Sequence, residues 1–228
     1  MNNNIITYDL LIWIGLLITI ISQILVSASY SRFKKKLNNK DITGFDAARK
    51  ILDKNDLKDV MILETKGNLT DHYDPTRKVI RLSTDIYHGS SIASVAVAAH
   101  ECGHAIQDKE DYTFLRIRHA LIPLVSFSSY AGYIAIVIGC IFSSMNLIWL
   151  GILMEIVILL FQLITLPVEF NASSRALKNI EELNILEKSE LKYSRKMLKA
   201  AAMTYVASVA AAVLEILRLL LIFGRRDD

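Results

Sequence analysis

Residues 120–154 read ALIPLVSFSSYAGYIAIVIGCIFSSMNLIWLGILM, 35 positions without a charged side chain. A bilayer core about 30 Å thick is crossed by about 20 helical residues. The run is too long for one crossing, and Ser143-Ser144-Met145-Asn146 puts a polar break inside it. It predicts two spans, about 120–142 and 147–168. The second carries Glu155 and Gln162. A carboxyl inside a span turns to a bundle interior, either as a packed structural acid or on a substrate or proton path.

Two more apolar runs lie outward from this pair. Residues 10–31 carry no charge, and a span over 5–31 is expected. No Lys or Arg precedes it and no small-residue cleavage site follows it, so it reads as a retained anchor. Residues 200–223 form a fourth run, Ala-rich at its start and interrupted by Glu215 and Arg218. Arg218 either snorkels or pairs with Glu155 or Glu215. The composition agrees: 53% of the 228 residues are hydrophobic and the mean hydropathy is +0.36, too apolar for an ordinary soluble domain. A net charge of +3 suggests no nucleic-acid partner. Two cysteines, Cys102 and Cys140, make no disulfide framework and fit a reducing compartment.

Charge sets the expected orientation. Arg32, Lys34, Lys35, Lys36 and Lys40 follow the first span. Arg175, Lys178, Lys188, Lys192, Arg195, Lys196 and Lys199 follow the third. The excess of Lys and Arg places 32–119 and 169–199 in the cytoplasm and the N-terminus outside, in a multi-pass protein of the cell membrane. The first basic run also suits a lipid surface.

Within 32–119, Phe45, Ala48, Ile51 and Leu52 share one face of a helical pattern, and residues 60–64 read as a short strand. Asp74-Pro75-Thr76-Arg77 is a turn signal between residues 68–73 and 78–83, which predicts a small hairpin or sheet. That hairpin is either structural or an edge for an extended substrate. Ser90 or Ser91 then caps a helix to about Asp108. On it lies His100-Glu101-Cys102-Gly103-His104, the pattern HExxH. Two histidines four apart differ by about 40° around a helix axis, so both rings face one spot where a metal fits. Glu101, about 100° round from His100, reaches a water on that metal without ligating it.

A catalytic zinc keeps three protein donors and one open position. No HxxGxxH follows the motif, so the third donor is sought on a later element. Glu169 is the best candidate, 65 residues after His104 at the end of the third span. Glu181, Glu182 and Glu187 are its rivals, in ordinary charged helix.

An apolar HECGH helix, a hydrophobic hairpin and a Glu-Phe-x-Ala segment resemble the membrane-embedded gluzincins, among them the HtpX heat-shock protease and the CAAX prenyl endopeptidases. More closely, Asn68-Leu69-Thr70-Asp71-His72-Tyr73-Asp74-Pro75, residues 96–107 and residues 166–177 resemble the YugP-type neutral zinc metallopeptidases of bacteria over nearly the whole chain. The resemblance implies a zinc endopeptidase with one Zn2+ on His100, His104 and Glu169. The implied fold is mainly α, with about four transmembrane helices and a small cytoplasmic α+β zincin-like domain bearing the hairpin. The HtpX-like pattern has an acid four residues after the ligand Glu, to orient a zinc histidine. Here Ser173 stands there, which leaves Asp71, Asp74, Asn171 or Arg175 to share that role.

Glu101 is then the general base, and the partners are a peptide or membrane-protein substrate and the bilayer, with another membrane protein open. His72, His88, His119 and Arg175 are candidates for the oxyanion donor. Two rival readings are an intramembrane protease with Glu155 as ligand and a non-catalytic zinc-binding scaffold. Glu101, which zinc binding alone does not need, argues against the scaffold.

Overall fold

The computed structural model describes residues 2–224, with side chains from residue 8 onward. The elements follow as α1 (Asn2–Lys34), α2 (Gly44–Lys54), β1 (Met61–Thr65), β2 (His72–Asp74), β3 (Val79–Ser83), α3 (Thr84–His88), α4 (Ile92–Lys109), α5 (Thr113–Ile141), α6 (Met145–Glu182) and α7 (Lys188–Phe223). The protein is mainly helical with one small sheet. Four helices are long and apolar enough to cross a membrane: Tyr8–Lys34 of α1, α5, α6 and α7. Their apolar side chains are left uncovered, with Trp13 63% and Phe127 62% exposed. Such a surface suits hydrocarbon and not water.

The chain forms two compact units. The first collects α1 as far as Gln23, Ile117–Leu166 of α5 and α6, and α7 from Met203 onward. Small residues let its helices touch. A Cβ at Gly15 would lie 3.3 Å from the Ala211 Cα, and one at Gly151 would lie 2.9 Å from the Gly132 carbonyl oxygen. Ser143, at φ 53°, makes the turn between α5 and α6. Arg218 donates to Glu215 and to Asp9, each at 2.9 Å. Glu215 was one of its expected partners; Asp9, at the far end of the sequence, was not. Glu155 and Gln162 line a cleft of about 400 Å3 with Thr19, Ser208 and Glu215.

The second unit comprises Ile24–Arg116 and Pro167–Ala202. Thr43 and Asp46 form a capping box at the start of α2, whose Ala47, Ala48, Ile51 and Leu52 are buried. The sheet order is β1-β3-β2. β2 and β3 are the expected hairpin, paired antiparallel. Asp74 holds their turn by accepting from the Thr76 and Arg77 amides at 3.0 and 3.1 Å. β1 pairs parallel with β3 on the other side, from Met61 opposite Val79 to Thr65 opposite Ser83. Central β3 puts Ile80 and Leu82 into the core with Ile51, Ile86 and Ile92.

Pro167, where a helix ends or bends, lies inside α6, which continues through it. Proline removes one backbone donor, which a 38-residue helix absorbs. The charged segment from residue 188 and the apolar run after 200 form one helix, α7.

Candidate metal centre

Ser91 caps α4, its hydroxyl accepting from the Ser94 amide at 3.0 Å. The helix is then buried almost throughout, including Glu101, Cys102, Gly103 and Gln107. Gly103 brings the two donor-bearing helices together. A Cβ there would stand 2.5 Å from the Ala172 carbonyl oxygen, so only glycine lets α4 lie against this turn of α6. That contact carries Glu169, 2% exposed, to the two histidines.

The ligating atoms of His100, His104 and Glu169 all lie within 4.8 Å of one another. His100 Nε2 is 3.3 Å and His104 Nε2 3.7 Å from Glu169 Oε2. Donors about 2.1 Å from a tetrahedral ion stand about 3.4 Å apart, so this spacing and the donor set of two imidazoles and a carboxylate fit zinc. The rings meet edge to face at 84°, and both Nε2 atoms turn to the same Glu169 oxygen. Burial alone would lower the His104 pKa, but the adjacent Glu169 carboxylate outweighs it and the pKa is raised. A pocket that favours positive charge is what a cation needs.

Behind each ring stands a neutral partner. Ser173 Oγ lies 3.2 Å from His100 Nδ1. Gln107 Oε1 lies 3.0 Å from His104 Nδ1. Gln107 Nε2 in turn donates to the Val168 carbonyl at 2.8 Å and to Asn171 Oδ1 at 3.0 Å. Arg175 Nε donates to the same Asn171 oxygen at 2.6 Å, and its guanidinium pairs with Glu110 at 2.6 Å. Hydrogen bonding to Arg175 holds the Glu110 pKa below the usual carboxylate range.

Glu101 is 8% exposed and takes no hydrogen bond among the described residues. A buried carboxylate without a protein donor is costly unless something else meets it. Cys102 points the other way, its thiol 3.6 Å from the Ala48 carbonyl. Burial pushes its pKa far up, so it offers no thiolate.

Among the described residues, no other three-donor group of this kind forms. Glu182 pairs with Lys178 and Glu187 with Asn39, while Glu181 is exposed. Asp71 ties the end of β3 by accepting from the Ser83 amide. Neither Asp71 nor Asp74 backs a histidine; Ser173 does so directly, Asn171 acts through Gln107, and Arg175 acts through Asn171. Of the oxyanion candidates, His72 and His88 bond Thr70 and Glu64 at exposed positions, and His119 belongs to the first unit. Sequence reasoning missed Gln107. The one cue was an amide three residues after His104 on the same helix face, which a surface glutamine gives as well.

Residues 8–224 match the family described as "Putative neutral zinc metallopeptidase". The curated protein "Putative membrane protease YugP" of Bacillus subtilis (strain 168) is 44% identical over 208 residues, covering 91% of this chain and 92% of that protein. No solved structure shows a significant match.

Proposed function

Because the chain belongs to the neutral zinc metallopeptidase family, we propose that it is a membrane endopeptidase of gluzincin type, with its metal on His100, His104 and Glu169 and Glu101 as general base. The observation that carries this is the convergence of three donors from α4 and α6 within 4.8 Å, beside a buried Glu101 that takes no hydrogen bond among the described residues. Zinc, when bound, supplies the Lewis acid that lowers the pKa of a water towards about 7 and polarises the scissile carbonyl. Glu101 accepts the proton that the attacking water gives up. It returns that proton to the leaving nitrogen as the C–N bond breaks. His100 and His104 keep their Nε2 atoms on the focus because Ser173 and Gln107 occupy the Nδ1 sides.

The spans in this reading are 5–31, 120–142, 147–168 and 200–223. Segments 32–119 and 169–199, with the site, face the cytoplasm in the cell membrane, and the N-terminus lies outside. The basic residues that follow the first and third spans support this orientation. Zinc content and peptide cleavage on detergent-purified protein test the site. Wild type is expected to hold about one zinc and cleave. Glu101→Gln keeps the zinc and loses at least about 100-fold in rate, the lower end of a general base's contribution. Glu169→Ala loses the zinc. Zinc and activity surviving in Glu169→Ala would remove Glu169 from the site, and a Glu101→Gln protein that still cleaves would remove the base.

A further inference from the structure

Gln107 is fully buried, and each polar hydrogen and oxygen of its amide has a partner. Its NH2 faces two oxygens, the Val168 carbonyl and Asn171 Oδ1. Asn171 is itself fixed, because the same Oδ1 accepts from Arg175. Turning the Gln107 amide over would set its oxygen against two oxygens, the Val168 carbonyl and Asn171 Oδ1. The amide therefore has one orientation, with Oε1 towards His104 Nδ1. That leaves His104 one neutral tautomer, with the proton on Nδ1 and the Nε2 lone pair towards Glu169. Val168 immediately precedes Glu169, so one side chain ties the His104 ring to the backbone that presents Glu169.

The amide is also neutral, as is Ser173 behind His100. A carboxylate in either place would make the imidazole a stronger donor. Here the imidazoles are held by geometry without added charge. We infer that Gln107 is a positioning residue of the zinc site, which fixes the His104 tautomer and couples the two donor-bearing helices, and that zinc retention depends on this amide network. The inference rests on the ligand set proposed above and assigns Gln107 no contact with substrate.

The test uses the full-length protein in detergent. Zinc affinity is read by competition with a chelator, and the visible absorption of the cobalt-substituted protein is recorded. Gln107→Met keeps the volume and removes every hydrogen bond. It is expected to weaken zinc about 10–100-fold and to alter the cobalt spectrum. Asn171→Ala removes one acceptor and leaves Gln107 in place; it is expected to weaken zinc in the same direction by a smaller factor. A purely structural role would lower thermal stability and leave both metal readouts at wild-type values, and that result in both variants overturns the inference. If Gln107→Met does not fold, Asn171→Ala decides alone on the same criterion. A His104→Ala protein that binds zinc as tightly as wild type shows that the ligand set itself is wrong, which is a separate outcome.

Discussion

A methyl group added at Gly103 would meet the Ala172 carbonyl oxygen at 2.5 Å and its Cα at 3.0 Å, both backbone atoms that cannot swing aside. Gly103→Ala is therefore expected to destabilise the second unit by about 1–3 kcal/mol, the usual cost of overpacking. It should also lower zinc affinity, because the shift falls on the turn next to Glu169. Thermal unfolding and chelator competition on the same sample check both effects; an unchanged protein would mean that α4 and α6 do not close on this contact. At this scale the sequence was informative where chemistry follows spacing. That His100 and His104 face one spot was legible from one helical turn. Glu169 was legible as the acid at the end of an apolar run. Gln107 was not, because a glutamine on a helix reads as surface until its neighbours are known. The same holds for Gly103, whose need for small size comes from a residue 69 positions later.

Between elements, Glu110, the residue that caps α4, is tied to α6 by its pair with Arg175. The folded-state pKa of Glu110 is lowered, so its stabilising contribution is fully present above the unfolded carboxyl value of about 4.3 and is lost as pH falls through the lowered value. Glu110 is about half exposed, which limits the pair to about 0.2–1 kcal/mol. The melting temperature of Glu110→Gln should lie below wild type at pH 7, and the gap should close as the pH drops below about 4. A gap that stays constant with pH would show that the charge is not what ties the helices. The hairpin was legible because a turn signal sits between two β-prone runs. β1 was legible as a strand, but its parallel pairing with β3 was not, since no local pattern records which strand lies beside which. The end of α4 near Asp108 was legible, while at Pro167 a short window does not decide between an end and a bend, and α6 continues through it.

At the scale of the molecule, four stretches were plain from apolar length, even where Glu155, Glu215 and Arg218 interrupt them, because hydrocarbon imposes the same requirement on every crossing. The division into two compact units was less visible, since α1, α5, α6 and α7 each contribute to both. The proposed orientation is checked with cysteines introduced into a Cys140→Ala background and labelled in intact cells with a membrane-impermeant maleimide. Ser143→Cys, in the turn between α5 and α6, should react without permeabilisation. Lys66→Cys, exposed after β1, should react only once the membrane is opened. The reverse pattern would turn the protein over and put the site outside the cell.

The chain order of the centre sets a timetable for its synthesis. His100, Glu101 and His104 leave the ribosome with α4, but Glu169 follows only after the whole hairpin of α5 and the apolar part of α6. A half-made chain thus owns the proposed base and two donors but lacks the third. On the proposed ligand set, a nascent chain cannot complete its metal centre until α5 and the apolar part of α6 have been made.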